Sequence, residues 1–220
     1  MEPLVTKRLV FITGGTGYIG SRLVKELVRR DHQVCALARK GSEMRITPGC
    51  TTVLGNALDR RTYVDSVRGN DVFVHLVGVS HPGPSKAQQF LELDLVSARE
   101  AIAAAVEAGI THFVYLSVAQ PAPVMRAFVQ VRAECESLLR SSGLQATIVR
   151  PWYVLGPGHR WPYVLKPMYW LAKRFPSTRD SAQRLGLITI GQMVQTLAWA
   201  VENPVSDVRV ISVPEILRIG

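Results

Sequence analysis

The chain is poor in cysteine, in acidic groups and in long apolar runs, and each shortage removes a class of protein. Three cysteines in 220 residues, Cys35, Cys50 and Cys135, are too few, too scattered and odd in number to frame a disulfide scaffold or a zinc site. Free thiols of this kind belong in a reducing compartment, so a cytoplasmic location is expected. No stretch stays apolar over the roughly 20 residues that a bilayer crossing needs. Met1-Glu2-Pro3 does not open a basic-then-apolar signal peptide. His32, His75, His112 and His159 show no metal-ligand spacing, so no metal is expected. Internal repeats are absent.

Acidic residues are outnumbered, 17 against 26 Lys and Arg, for a formal net charge of +9. Much of the excess lies in residues 151–190, where Arg160, Lys166, Lys173, Arg174, Arg179 and Arg184 stand against Asp180 alone. These charges do not form a compact run and no nucleic-acid-binding motif accompanies them, so nucleic acid is not the expected partner. A solvated basic surface is.

What the chain does have is a glycine turn in a telling place. Thr13-Gly14-Gly15-Thr16-Gly17-Tyr18-Ile19-Gly20 follows the apolar run Leu9, Val10, Phe11, Ile12, which reads as a buried strand. Ile19, Leu23, Val24, Leu27 and Val28 then recur at helical spacing, with Arg22, Lys25, Glu26, Arg29 and Arg30 on the other face. Gly15, Gly17 and Gly20 fit G-x-G-x-x-G at a strand-to-helix turn, the context that makes this pattern informative. An early glycine permits the tight turn, the middle one lets backbone approach a pyrophosphate, and the last allows close helix–strand packing. The free N–H groups and dipole of the helix N-terminus favour phosphate charge.

Downstream, strands are predicted at 33–38, 52–54, 71–76, 111–117, 146–150 and 208–213. Helices are predicted at 87–108, closed by Gly109, at 124–141 before Gly143, and at 192–202. This alternation predicts an α/β fold, a doubly wound parallel sheet (Rossmann fold) carried by one domain over residues 1–220. Ligands of such folds lie beyond the carboxyl ends of the strands. That places Thr13, Gly14, Gly15, Thr16, Gly17, Tyr18 and Ile19, then Arg39, Asn56 and Ala57, Val77, Gly78 and Val79, Ser117, and Pro151, Tyr153 and Val154 around one crevice. Beyond Pro151 the alternation fades, and residues 156–186 read as a lid or interface segment. The aromatic and basic stretch 161–175 suits a lid, a subunit interface, an interfacial membrane helix or a core-capping helix, with Pro167 arguing against a continuous helix. A membrane surface is therefore not the expected partner.

The second strand ends Ala38-Arg39-Lys40, without the acid that would bind the 2′-hydroxyl of an NAD ribose. A guanidinium grips a 2′-phosphate that a carboxylate would repel. NADP is therefore the expected cofactor and NAD the less favoured one. Asn56, after the third strand, suits either an adenine contact or a simple turn.

Three motifs, Thr13-Gly14-x-x-Gly17-x-x-Gly20, Tyr115-Leu116-Ser117 at a strand end, and Arg150-Pro151-Trp152-Tyr153-Val154-Leu155-Gly156-Pro157, together resemble the extended and atypical short-chain dehydrogenase/reductase superfamily. The resemblance points above all to its NAD(P)H-binding, epimerase-like and nitrogen-metabolite-regulator-like branches, and covers residues 9–204. It implies a Tyr-x-x-x-Lys pair on the helix after the serine-bearing strand, the tyrosine exchanging a proton with the substrate and the lysine binding the nicotinamide ribose. The matching positions here hold Phe128 and Arg132. Phenylalanine has no proton to exchange, whereas Arg132 stays charged and is able to bind ribose. Ser117 and Tyr153 are then the candidate catalytic groups with Arg132, and His81 and Lys86 are further candidates for proton transfer. Two functions follow: an NADP-dependent oxidoreductase or isomerase acting on a small, partly apolar carbonyl-type substrate, or a non-catalytic NADP(H)-sensing or assembly module that contacts a protein partner.

Overall fold

The computed structural model describes residues 6–122, 124–157 and 185–220. Seven parallel strands form one sheet in the order β3-β2-β1-β4-β5-β6-β9. They are β1 (Leu9–Thr13), β2 (Gln33–Ala38), β3 (Thr51–Leu54), β4 (Val72–His75), β5 (His112–Leu116), β6 (Ala146–Val149) and β9 (Val208–Ile211). The order reverses between β1 and β4, and ligands of open α/β sheets bind at such a point. Val10 of β1 sits opposite both Val34 of β2 and Val72 of β4, which fixes the register at the centre.

A strand buried on both faces must be apolar throughout, and β1 shows the consequence. Val10 and Ile12 enter one core with Leu23, Val24 and Leu27 of helix α1 (Gly20–Arg29). Phe11 enters the opposite core, where its ring meets Phe73 at 5.2 Å. On the first face α1 is joined by α6 (Ile190–Glu202) and α7 (Val213–Ile219). On the second lie α2 (Val64–Val67), α4 (Val96–Ala108) and α5 (Arg126–Ser141). Gly109 closes α4 in the left-handed conformation, with φ 71°, as the sequence signal implied.

The structure departs from the sequence reading in several places, α2 among them, which was not predicted. The predicted helix at 87–108 is α3 (Ala87–Gln89), then a π-helical stretch Phe90–Leu95, then α4. The extra residue per turn carries Asp94 inward, where it is buried. The last strand ends at Ile211 rather than at residue 213, because Ser212 and Glu215 form a capping box that starts α7 with Pro214 in its first turn. A small parallel pair, β7 (Tyr153–Leu155) and β8 (Leu187–Thr189), was not foreseen. The expected lid or interface segment, 156–186, and its aromatic stretch 161–175 lie almost wholly outside the described residues.

Candidate functional site

The glycine turn leaves β1 at Gly14, whose φ of 81° suits glycine alone. A Cβ there would stand 2.8 Å from the carbonyl carbon of Leu76, so the turn lies directly against the end of β4. Gly20 starts α1 and touches the turn itself: its missing Cβ would be 2.1 Å from the carbonyl oxygen of Gly14. The close approach is thus helix to turn, not helix to strand. Gly15 is buried beside Ala36. Gly17 is exposed, and a Cβ there would meet only Gly14 O, at 3.2 Å.

This turn fits an anion. Helix α1 begins with no capping side chain and no acid in its first turn. The N–H groups of Thr16 and Ile19 are not donated to any described group. Such an end carries partial positive charge and open donors. Arg22 adds a cation, its guanidinium 4.2 Å from the centre of the Tyr18 ring and donating to Tyr18 O at 2.7 Å. The Tyr18 hydroxyl reaches Gly156, where a Cβ would be 2.2 Å away, so the glycine turn leans on the end of β7.

Arg39 and Lys40 are exposed at the carboxyl end of β2, beside a turn in which Ser42 N donates to Arg39 O. Asn56 is exposed after β3. Its Oδ1 accepts from Leu58 N at 3.1 Å, so the side chain shapes a turn and leaves its amide nitrogen outside it. Ala57 packs on the second core. Val77, Gly78 and Val79 follow β4 and are half-buried. Val79 also edges an open depression of about 430 Å³ lined by Leu58, Ser80, Lys86, Gln89, Glu92 and Leu93. His81 is exposed with φ 51°, and Lys86 Nζ donates to Ser80 O, closing that loop.

At the other end of the crevice the predicted side chains are already engaged. Thr13 is buried, its hydroxyl 2.7 Å from His75 Nδ1. Arg132 is 6% exposed. It donates to Asp94 Oδ1 at 2.6 Å, Leu116 O at 2.8 Å, Tyr115 Oη at 3.2 Å and Val77 O at 3.5 Å. The structure therefore puts Arg132 beneath the loop after β4 and not on open ground in the crevice. Phe128 covers it, its ring 5.2 Å from the guanidinium carbon and 5.0 Å from the Phe90 ring. Ser117 is 5% exposed and donates to Glu136 Oε1 at 2.5 Å. Glu136, also buried, accepts from Gln120 Nε2 at 2.7 Å and forms a forked ion pair with Arg150. Because the single Ser117 proton is held by Glu136, its oxygen is left to accept rather than to give. Pro151 is buried, and Tyr153 and Val154 lie half-buried in β7, with the Trp152 and Tyr153 rings 5.4 Å apart.

Asp94, Glu136 and His75 were not foreseen as parts of the site. The available signal was charge inside an apolar stripe: Arg132 and Glu136 sit among Val131, Cys135 and Leu139 on the buried face of α5. Asp94 lies between Leu93 and Leu95. Burial pushes the Asp94 carboxyl above its usual range, against the pull of Arg132. No cluster among the described residues suits a metal, and no helix among them is long and apolar enough to cross a membrane.

A doubly wound sheet with an anion-ready glycine turn at its switch point defines the dinucleotide-binding class. The chain belongs to the NAD(P)H-binding family, whose model matches residues 14–163. It is 29% identical over 112 residues to a 3-beta-hydroxysteroid dehydrogenase of Mycolicibacterium neoaurum, which covers 48% of this chain and 31% of that protein. It is 29% identical over 152 residues to an uncharacterized sugar epimerase of Bacillus subtilis (strain 168), covering 64% of this chain and 70% of that one. Among solved structures, MoeE5 in complex with UDP-glucuronic acid and NAD superposes with a TM-score of 0.70 at 20% identity, over 95% of this chain and 80% of that one. The chain spans half or less of the length of the first curated relatives it matches, the steroid dehydrogenase among them.

Proposed function

We propose that the chain binds NADP in preference to NAD. We further propose that it acts as an oxidoreductase or isomerase on a small, partly apolar carbonyl-type substrate, without a Tyr-x-x-x-Lys pair. The observation that carries this reading is the uncapped start of α1 beside the exposed Arg39 and Lys40, a donor-lined turn for a pyrophosphate next to two cations for a 2′-phosphate. In this reading Thr13, Gly14, Gly15, Thr16, Gly17, Tyr18 and Ile19 form the pyrophosphate turn. Asn56, Ala57, Val77, Gly78 and Val79 wall the adenine end, while Pro151, Tyr153 and Val154 border the nicotinamide end. A bound nicotinamide supplies or accepts the hydride. Tyr153 is the proposed group that gives a proton to the carbonyl oxygen and takes it back from the alcohol form, and Ser117, oriented by Glu136, accepts a hydrogen bond from the hydroxyl of that alcohol form. The apolar substrate class is supported by the steroid dehydrogenase among the relatives and by the Trp152–Tyr153 contact.

Fluorescence titration with NADPH and NADH, run beside a hydride-transfer assay over a panel of carbonyl compounds, tests the proposal. NADPH is expected to bind about tenfold more tightly, a preference of about 1.4 kcal/mol, and Arg39→Ala to erase that preference. Equal or tighter binding of NADH would reject the NADP assignment. Tight binding with no turnover across the panel would favour a sensing or assembly role.

A further inference from the structure

The ion pair of Arg132 and Asp94 is built around the loop that follows β4. Arg132 reaches the loop at Val77 O, and the second carboxylate oxygen of Asp94 accepts from Val79 N at 3.0 Å. Gly78 lies between these two anchors. A Cβ there would stand 2.2 Å from Arg132 Nη2 and 3.0 Å from Asp94 Oδ1, so the loop rests on the ion pair with no room for a side chain. The same guanidinium holds Leu116 O at the end of β5. One buried cation thereby ties two strand ends to the π-helical stretch that presents Asp94.

We infer that the Arg132–Asp94 pair is a positioning device that sets the backbone of residues 77–79 for the nucleotide and acts from beneath the loop without touching the ligand. This rests on the proposed dinucleotide site and assigns Arg132 a different task from the ribose contact that the family resemblance implies. Free lysine or arginine reaching a ribose needs an exposed head group, whereas this guanidinium is enclosed by Phe128, Tyr115 and Asp94. Its fork is used on two backbone carbonyls, a phenol and a carboxylate, which an ammonium cannot match in one geometry.

The test pairs Arg132→Lys with Gly78→Ala, singly and together, because removing the charge outright would strand Asp94 and risk the fold. Two quantities are read: NADPH affinity, and amide hydrogen exchange of the peptide containing Val79. Arg132→Lys is expected to weaken NADPH binding about tenfold, the scale of a lost charge-assisted hydrogen bond, and to speed exchange at 77–79. Gly78→Ala is expected to do the same by clashing with the guanidinium. In the double variant the slimmer lysine makes room for the methyl group, so the two effects should not add. Unchanged affinity and exchange in Arg132→Lys, or effects that add independently, would overturn the inference. Failure of the unaltered protein to bind NADPH would instead reject the dinucleotide reading, while the exchange data would still decide whether Arg132 holds the loop.

Discussion

The two ends of the crevice are built from different materials. At the turn between β1 and α1 the site is backbone: glycines bring the chain to contact with itself, and the N–H groups of Thr16 and Ile19 are donated to no described group. At the ends of β5 and β6 it is side chain, with Arg132 on Asp94 and Arg150 on Glu136. A backbone site tolerates neighbours of many kinds but no added Cβ. A side-chain site tolerates small shape changes but not the loss of one partner, since a buried charge left alone is expensive. The nucleotide end should therefore fail on gaining an atom, and the other end on losing one.

Glu136→Ala should show the largest effect. It removes the acceptor shared by Ser117, Gln120 and Arg150 and leaves the guanidinium half-enclosed. A loss of about 3 kcal/mol is expected, the lower part of the range for a broken buried pair, because Arg150 keeps some contact with solvent. Urea denaturation measures it, and a loss below about 1 kcal/mol, the worth of an exposed pair, would mean that this end is not held by its charges.

Gly20→Ala and Gly17→Ala separate folding from binding at the other end. The first drives a methyl group onto Gly14 O and should cost about 2 kcal/mol of stability together with nucleotide affinity. The second makes a tight but less severe contact, 3.2 Å to Gly14 O, so its stability cost should stay near about 1 kcal/mol, below that of Gly20→Ala, while the methyl group obstructs the pyrophosphate. If Gly17→Ala binds NADPH as the unaltered protein does, the outward face of the turn is not the phosphate site.

This contrast also explains what could be read from the sequence. Glycine spacing after an apolar strand is a local signature of a backbone requirement, so the turn and the sheet were legible. The hydrogen-bond partners of Arg132 and Ser117 were not, because they come from elsewhere in the chain. Asp94 is 38 residues from Arg132, and Glu136 is 19 from Ser117. The π-helical stretch that turns Asp94 inward leaves no periodicity distinct from that of a helix. The capping box at Ser212 and Glu215 was, by contrast, a local signal for α7 that a strand assignment to residue 213 overrode.

His75 sits where the two ends meet, and its titration tests whether they act as one unit. It lies at the end of β4, bonded to Thr13 below the glycine turn and stacked on Tyr115, which contacts Arg132. Ser97 donates to Asp94 O, so its oxygen is free to accept from His75 Nε2–H at 3.4 Å, and Nδ1 accepts from Thr13. Burial, with the nearby Arg132 charge, lowers its pKa from 6.5 to about 3, so the ring is neutral near pH 7 and these contacts suit a neutral ring protonated at Nε2. The unfolded chain takes up a proton below about pH 6.5 and the folded chain does not, so stability falls as pH drops from there toward 3. The slope is about 1.4 kcal/mol per pH unit for each such histidine. His112, lowered to about 4 by burial and by Arg209 and Arg8, adds a second contribution over the same window. Urea midpoints between pH 7.5 and 5.5 should therefore fall well before the carboxylates titrate, and His75→Asn should remove about half of that fall. An identical pH slope in the variant would mean that His75 takes up its proton in the folded protein, and that the joint between the two ends is open to water.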